Sequence, residues 1–337
     1  MNKYLIVGGG ITGILMGKFL SHRGFTFQGL EKSKQLGKDF SFGQLRFHQD
    51  NSIGLLKNIF QSIEWAKVDG QPLERKKGEW IITSSDFIDE EKAFLGNPFY
   101  RPTANSEVVL NEMKSGISAS FLIEKNVEKI ELETRKAYCQ DGSEFEFENL
   151  LWCADLKTLF KTVKGNPKIS IKTPKKQEDS QGGIHLEIEL SNCCIPLSNS
   201  FVFPFRYKDY KLRAIGINDQ PQGEGSQVFK MHWLVFVERE LAEDREEVAK
   251  VIRALKRELL KEFEDLKSAS LREKIVFQPK VNNHSSLETK GLELYPGIFY
   301  VGPEVHLPGS VTTGSPLDLV IENCKRVEDT LFQPAAL

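Results

Sequence analysis

The chain has 337 residues, of which 45 are basic and 47 are acidic, so its formal net charge is −2. This balance disfavours electrostatically driven binding to nucleic acid, which needs an excess or a stripe of basic residues. Hydrophobic residues make up 40% of the chain, which is enough to bury a large core and excludes disorder as the main state. The length predicts about two domains.

The sequence lacks the signals of membrane, secreted and metal-binding proteins. No apolar stretch approaches the roughly 18 residues of a membrane-spanning helix. The apolar run at residues 4–7 is followed by glycines instead of a signal-peptide core. The five cysteines contain no C-x-x-C pair and the six histidines are scattered, so neither a disulfide framework nor a metal site is predicted. We expect a soluble, cytoplasmic protein.

The first 31 residues have the element order of a dinucleotide-binding βαβ unit. Residues 4–7 predict a buried strand, residues 14–22 a helix, and residues 25–30 a second strand that closes on Glu31. Glycines fill the turn between the first strand and the helix, and they fit the pattern G-x-G-x-x-G. Because strand, glycines, helix, strand and acid occur in this order, the segment predicts dinucleotide binding.

Each position of this motif has a physical reason. Gly8 makes the tight turn, Gly10 lets the backbone approach a diphosphate, and Gly13 lets the helix pack close to the strand. The helix N-terminus stabilises the diphosphate. The carboxylate of Glu31 accepts hydrogen bonds from a ribose diol, which disfavours the 2′-phosphate of NADP. The predicted cofactor contacts in this segment are Gly8, Gly10, Ile11, Thr12, Gly13, Glu31 and Lys32.

Separate blocks along nearly the whole chain resemble the FAD-dependent amine oxidase superfamily, which includes monoamine oxidase-like, protoporphyrinogen oxidase-like and phytoene desaturase-like enzymes, with UDP-galactopyranose mutase as a relative. Beyond the N-terminal motif, the blocks are residues 42–48, residues 119–131 and residues 297–314. The last of them is similar to the C-terminal flavin motif of the family. A simple NAD dehydrogenase has no need for a C-terminal segment that returns to the N-terminal nucleotide-binding domain. The resemblance therefore implies FAD as the cofactor.

The resemblance implies further cofactor contacts. Val127 stands where relatives meet the adenine through the backbone, and Gly302, Glu304 and Gly314 belong to the C-terminal flavin motif. In that motif a helix that begins after glycines stabilises electron density on the flavin or its phosphate. Pro303 replaces the Asp of the family's Gly-Asp pair, and Glu304, one residue later, is a candidate contact to a ribityl hydroxyl.

Residues 42–48 are similar to the segment that lies beside the flavin in relatives. Arg46 and His48 are therefore candidates for the substrate pocket, and His306 is a further candidate near the C-terminal motif. An arginine near a flavin can hold an anionic substrate or a phosphate. Catalytic residues are not predicted, because in a flavoenzyme the isoalloxazine accepts the hydride and the protein supplies orientation and electrostatics. The family's Gly-Gly-Arg is replaced by residues 36–39, in which Lys38 offers a point charge.

The middle of the chain predicts a sheet with a covering helix. Residues 175–183 and 219–226 are polar or rich in glycine and predict loops, the first at a change of domain. An amphipathic helix is predicted over residues 244–266, and Pro204 predicts an edge or a strand end. The strands are predicted over residues 184–190, 201–205, 212–217, 228–237 and 275–279.

The predicted fold is α/β, with a Rossmann-type FAD-binding domain (the FAD/NAD(P)-binding fold) and an inserted mixed-sheet α+β substrate domain. The FAD-binding domain takes residues 1–70, 107–165 and 288–337, and the substrate domain takes residues 71–106 and 166–287.

The predicted function is that of an FAD-dependent oxidoreductase that transfers a hydride from a small organic substrate to the flavin. Three alternatives stay open. One is a mutase-like flavoenzyme that acts on a sugar nucleotide without net redox change. The others are a non-catalytic protein that binds FAD or another nucleotide, and an NAD dehydrogenase. Neither nucleic acid nor a membrane is expected as a partner.

Overall fold

The structure is a computed structural model. It describes residues 2–38, 46–68, 72–83, 87, 91, 95, 99–104, 106–164, 181–194, 200–219, 228–278, 287–307 and 316–332. The predicted contact Gly314 and the predicted loop segments 175–180 and 220–226 lie outside these residues.

The described helices and strands alternate at the start of the chain, and later several strands or several helices follow one another. The helices are α1 (Ile11–His22), α2 (Asp50–Ile59), α3 (Ser106–Lys114), α4 (Leu156–Thr162), α5 (Arg239–Glu243), α6 (Arg245–Glu262), α7 (Leu266–Ala269) and α8 (Pro316–Phe332), with a 3₁₀ turn at Ser118–Ser120. The strands before residue 165 are β1 (Asn2–Val7), β2 (Gln28–Leu30), β3 (Trp65–Val68), β4 (Leu73–Lys76), β5 (Glu79–Ile82), β6 (Phe99–Pro102), β7 (Phe121–Leu122), β8 (Val127–Glu131), β9 (Lys136–Cys139), β10 (Glu144–Trp152) and β11 (Val163–Lys164). The later strands are β12 (Gln181–Leu190), β13 (Phe201–Tyr207), β14 (Tyr210–Asp219), β15 (Phe229–Glu238), β16 (Ser270–Gln278), β17 (Leu287–Glu288), β18 (Glu293–Tyr295), β19 (Ile298–Tyr300) and β20 (Val305–His306).

The first sheet has a parallel centre that contains the N-terminal βαβ unit. Strand β1 pairs in parallel with β2 on one side and with β10 on the other, β2 pairs with β7, and β10 pairs with β19. The apolar side chains of β1 are buried, as expected of a strand with parallel neighbours on both sides. Helix α1 crosses from β1 to β2 and packs against α8. The strands β8 and β9 extend the sheet as an antiparallel meander with β10.

The second sheet has seven strands in the order β16-β12-β15-β14-β13-β4-β5. Its pairs are antiparallel except for β13 with β4, which makes the sheet mixed. Alternate side chains of β12, β13 and β15 form one core with the apolar face of α6. Because side chains of a strand alternate between two faces, the intervening residues of these strands lie on the opposite face. Two smaller sheets pair β3 with β6 and β17 with β20.

Several predicted boundaries are wrong by a few residues, for local reasons. Helix α1 begins three residues earlier than predicted, because Gly10 is already its N-cap. Strand β2 begins at Gln28, since only the last three residues of β1 pair with it. Phe25, predicted to be in that strand, stacks instead on Phe332 with ring centroids 4.0 Å apart.

Two predicted ends in the second sheet also differ. Residues 181–183, predicted to be loop, are the first residues of β12, because their backbone pairs with the end of β15. The predicted helix over residues 244–266 ends at Glu262, after which Phe263 turns and stacks on Trp80 with ring centroids 6.2 Å apart. Strand β13 lies inside the sheet, but its pairing with β4 ends at Val202, so Pro204 follows the end of that pairing.

Candidate functional site

A cavity of about 390 Å³ lies at the carboxyl ends of β1, β2 and β10. This volume is within the range of roughly 300–1,000 Å³ that is typical of ligand sites. The carboxyl ends of parallel strands are where open α/β sheets bind their ligands. The wall of the cavity includes the glycine turn after β1, the residues after β2, the start of β8 and the start of α4.

At Gly8 and Gly13 of the motif, contacts with backbone atoms require glycine. Gly8 has a φ of +106°, and a Cβ there would meet the backbone carbonyl of Cys153 at 3.1 Å. A Cβ at Gly13 would lie 1.8 Å from the carbonyl oxygen of Gly8, so α1 can pack at this distance only with glycine. The prediction that Gly13 permits close packing of helix on strand therefore has a direct geometric basis here.

Gly10 differs from these two glycines. Its φ is −71°, which any residue adopts, and no described atom lies within 4 Å of an ideal Cβ at this position. Gly10 lines the cavity, as do Ile11 and Thr12 in the first turn of α1. The space beside Gly10 is therefore not needed for packing by the described part of the protein, and it lies at the positive end of the helix dipole.

The carboxylate of Glu31 is held in one orientation at the cavity wall. One oxygen accepts a hydrogen bond from the backbone N–H of Gly9 at 2.6 Å, and the other accepts from the backbone N–H of Ser33 at 2.6 Å. The side chain is 7% exposed. Each carboxylate oxygen can accept more than one hydrogen bond. Glu31 therefore still offers a fixed acceptor for hydroxyl donors at the cavity.

Basic side chains surround the same cavity. Lys32 and Lys38 line it, and Lys125 lines it while forming an ion pair with Asp141. Asp155 lines it from the start of α4, where its Oδ2 caps the helix by accepting from the backbone N–H of Thr158 at 2.8 Å. The cavity therefore combines two carboxylates, those of Glu31 and Asp155, with several cations, which suits a ligand that has both hydroxyl and phosphate groups.

The predicted contacts separate into two groups in the structure. The residues that line the cavity are Gly8, Gly10, Ile11, Thr12, Glu31, Lys32 and Val127. Gly13 supports the turn from behind, and Gly302 and Glu304 are not among the lining residues. Lys125, Trp152 and Asp155 also line the cavity, and they were not among the residues predicted from the sequence.

Glu304 is 2% exposed and binds protein groups. Its Oε2 accepts from the backbone N–H of Leu156 at 2.7 Å and from the hydroxyl of Tyr300 at 2.8 Å. Burial and the charge of Glu304 raise the pKa of Tyr300 well above its usual range. A Cβ at Gly302 would lie 2.4 Å from the Tyr300 hydroxyl oxygen, so this glycine makes room for that ring. The described contacts of both residues connect β19 to α4.

Arg46 and His48 both contact Phe99 of β6. Arg46 is 3% exposed, its guanidinium carbon lies 4.6 Å from the centre of the Phe99 ring, and its Nη1 lies 3.5 Å from the Ser200 hydroxyl. Burial and the nearby charge of Arg101 lower the pKa of Arg46 to about 9. The backbone N–H of His48 donates to Oδ2 of Asp318 in α8 at 2.8 Å. The side chain of His306 lies outside the described residues.

The described residues contain no group of three or more His, Cys, Asp or Glu side chains arranged to hold a metal ion. None of their helices is both long and apolar enough to span a membrane.

No protein-family model matches the chain, and no curated protein sequence matches it. Solved structures do match over nearly the whole chain. An oxidoreductase from Methanosarcina mazei is 12% identical with a TM-score of 0.66, and the match covers 97% of this chain and 100% of that one. Reduced UDP-galactopyranose mutase is 10% identical with a TM-score of 0.58, covering 99% and 96%. A probable FAD-dependent monooxygenase from Pseudomonas aeruginosa is 15% identical with a TM-score of 0.52, covering 98% and 85%.

At these identities the likeness concerns the fold. Together with the parallel βαβ unit and the second, mixed sheet, it confirms the predicted fold class. The chain has an α/β architecture with the Rossmann-type FAD/NAD(P)-binding fold.

Proposed function

We propose that the chain is an FAD-dependent oxidoreductase whose N-terminal cavity holds the adenosine diphosphate part of FAD. One observation carries the proposal. The open space beside Gly10, at the start of α1, faces the same cavity as the fixed carboxylate of Glu31. A diphosphate and a ribose diol require these two features, one beside the other, at the carboxyl ends of adjacent parallel strands.

Different residues of the cavity bind different parts of the cofactor. The first N–H groups of α1, at Ile11 and Thr12, have no partner within the helix and are available to a diphosphate. Glu31 accepts from the ribose hydroxyls, while Lys32 and Lys38 add positive charge. In this proposal Lys38 supplies the charge that an arginine brings in the amine oxidase superfamily. Val127, at the start of β8, contacts the adenine through its backbone.

FAD, when bound, supplies the acceptor for a hydride taken from a C–N or C–C bond of a small organic substrate. The protein holds and orients both molecules and excludes water from them. We assign the substrate to residues 71–106 and 166–287, which supply all seven strands of the second sheet. We assign the cofactor to residues 1–70, 107–165 and 288–337. Arg46 and His48 belong to the contact between the two regions.

The proposal is tested by the absorption spectrum of the purified protein, before and after addition of FAD and desalting. We expect paired flavin bands at close to one FAD per chain. Substrates are then screened by anaerobic bleaching of those bands. A protein that stays colourless after incubation with FAD would refute the cofactor assignment and favour a non-catalytic binding role.

The same preparation separates the remaining alternatives. Quenching or enhancement of NADH fluorescence without retained flavin would indicate an NAD dehydrogenase. The likeness to UDP-galactopyranose mutase gives the non-redox alternative a structural basis. Isomerisation of a sugar nucleotide by the reduced protein, without bleaching of the oxidised flavin by that compound, would replace the oxidoreductase proposal with the mutase.

A further inference from the structure

Another cavity, of about 450 Å³, is lined by the end of β13, by the turn that follows this strand, and by α6. Its described lining contains no acidic side chain and shares no residue with the N-terminal cavity. We call it the basic pocket, because five cations line it. They are Arg206, Lys208, Lys250, Arg253 and Arg257.

Helix periodicity and the packing of a helix on a strand bring these cations together. Residues three and four apart are neighbours on the surface of a helix, so Lys250, Arg253 and Arg257 form one stripe along α6. Helix α6 packs against β13, which places Arg206 and the turn after it beside this stripe. The basic pocket therefore depends on the folded position of α6 and has no local sequence motif.

Glu247 in the first turn of α6 holds one side of the basic pocket. Its Oε2 accepts hydrogen bonds from the Tyr207 hydroxyl and the Lys208 ammonium, each at 2.6 Å, and its Oε1 accepts from the Lys250 ammonium at 2.7 Å. The hydrogen bonds from Lys208, Lys250 and Tyr207 lower the pKa of Glu247 to about 2. Asp209, in the same turn as Lys208, is not in the lining. One carboxylate therefore orients two lysines and neutralises one of their two charges.

Two arginines of the basic pocket form no ion pair with any described carboxylate. They are Arg206 and Arg253, and both are exposed. Nε of Arg253 donates to the carbonyl oxygen four residues earlier in α6 at 3.2 Å, which leaves its two terminal nitrogens available. Arg257 pairs with Glu258 at 3.2 Å. The five cations therefore have two carboxylate partners, Glu247 and Glu258, and three positive charges are in excess in a chain whose net charge is −2.

We propose that the basic pocket binds a ligand with at least two phosphate groups close together. This site goes beyond the proposed function and does not depend on FAD. A guanidinium matches a phosphate with two parallel hydrogen bonds, and lysines add point charges. One phosphate group carries about −1.5 to −2 at pH 7, so two are needed to offset three positive charges. The volume is within the range of small-ligand sites, whereas a nucleic acid contacts a longer basic stripe.

The first test is calorimetric titration with pyrophosphate and with orthophosphate, in the absence of divalent cations. The protein is first incubated with FAD and desalted, so that the N-terminal cavity is loaded. We expect pyrophosphate to bind at least tenfold more tightly than orthophosphate, because it offers two linked phosphate groups to the same cations. Equal binding of the two anions would overturn the proposal.

Clustered phosphates occur in soluble diphosphates and in the headgroups of phosphorylated lipids. Sedimentation with phosphatidylcholine vesicles that contain phosphatidylinositol bisphosphate distinguishes these sources. Binding to these vesicles in place of pyrophosphate would assign the pocket to a lipid headgroup, and binding of neither probe would overturn the proposal. A short DNA duplex that bound more tightly than both would identify a nucleic-acid surface and would also overturn it.

Two arginine variants locate the binding. Arg206→Met and Arg253→Met should each weaken binding of the phosphate probe by roughly fivefold or more, since each removes charged hydrogen bonds to phosphate. Both residues are exposed, so neither change removes a core contact. Arg272→Met makes the same change at an exposed position of β16 outside the pocket and should leave binding unchanged. Equal affinity in all three variants would refute the assignment.

The amount of retained FAD separates the basic pocket from the N-terminal cavity. It is measured by absorbance on the same samples, and we expect it to be equal in the unmodified protein and in all three variants. Loss of FAD together with loss of pyrophosphate binding in Arg206→Met and Arg253→Met would overturn the proposal of a separate site. A colourless protein in which these two arginines still govern binding of pyrophosphate would support the basic pocket while refuting the oxidoreductase.

Discussion

Replacing Gly10 with alanine separates binding of the cofactor from folding. The added methyl group meets no described atom within 4 Å, and the φ of −71° suits any residue. Alanine is a poorer N-cap than glycine by a few tenths to about 1 kcal/mol. The lower entropy of the unfolded alanine chain offsets this by about 0.4–1 kcal/mol. We therefore expect Gly10→Ala to change the free energy of unfolding by less than about 1 kcal/mol.

The effect on FAD should be much larger, because the methyl group enters the space assigned to the diphosphate. Displacing the diphosphate from the N–H groups of α1 removes at least one hydrogen bond to a charged group, which is worth roughly 1.5–3 kcal/mol. At 1.4 kcal/mol for each factor of ten, the dissociation constant for FAD should rise about 10- to 150-fold. Fluorescence titration of FAD gives this constant, and urea unfolding followed by tryptophan fluorescence gives the stability.

Two other glycines provide controls for Gly10→Ala. Gly54→Ala lies on the exposed side of α2 with no described atom within 4 Å, and should slightly stabilise the helix without affecting FAD. Gly13→Ala puts the methyl group 1.8 Å from a backbone oxygen and should destabilise the fold by at least roughly 1–3 kcal/mol. If Gly10→Ala bound FAD as tightly as the unmodified protein, the space beside Gly10 would not hold the diphosphate.

Three further predictions concern stability and reactivity. Glu304→Leu leaves two buried donors without their acceptor and should lower the free energy of unfolding by roughly 2–5 kcal/mol. Glu304→Gln keeps an acceptor oxygen and should lower it less. An equal loss of stability for the two variants in urea unfolding would contradict this. The folded state keeps His232 neutral while the unfolded state binds a proton near pH 6.5, so stability should fall as the pH drops below about 6.5. His232→Gln should reduce the loss between pH 7 and pH 5 by up to about 2 kcal/mol, and an unchanged slope would show that His232 is protonated when folded. Burial raises the pKa of the Cys153 and Cys324 thiols, so iodoacetamide should label half-exposed Cys193 before either of them, as followed by mass spectrometry of the intact and digested protein.

The N-terminal unit was predictable because its determinants are local. The positive φ of Gly8 and the close contact of Gly13 with the carbonyl oxygen of Gly8 arise within this short segment, and the buried strand before them has a continuous apolar pattern. The element boundaries were less predictable, since they depend on partners far away in the chain. The stacking of Phe25 on Phe332 and the pairing of residues 181–183 with the end of β15 are contacts of this kind.

The contact of Glu304 with the cofactor stays a prediction. Its position after Gly302 suggests that contact, and in the fold its Oε2 accepts hydrogen bonds from Tyr300 and from the first turn of α4. The sequence places Glu304 and Leu156 148 residues apart, and no periodic pattern connects them. A buried acid that binds a backbone N–H and one that binds a ribityl hydroxyl have the same sequence signature, because both are single acidic residues after a strand.

The N-terminal cavity and the surroundings of Arg46 differ in how a sequence can encode them. Ten of the 19 residues that line the N-terminal cavity lie between Val7 and Ser33, so a short motif is enough to specify that part of it. The surroundings of Arg46 come from distant parts of the chain, since the Phe99 ring and the Ser200 hydroxyl contact its guanidinium in the folded protein. A single substitution at Arg46 changes the charge at this place and leaves the strand pattern of the sequence intact. For this reason the fold class and the residues of the glycine turn follow from the sequence, while the class of substrate has to be inferred from which side chains the folded protein brings together.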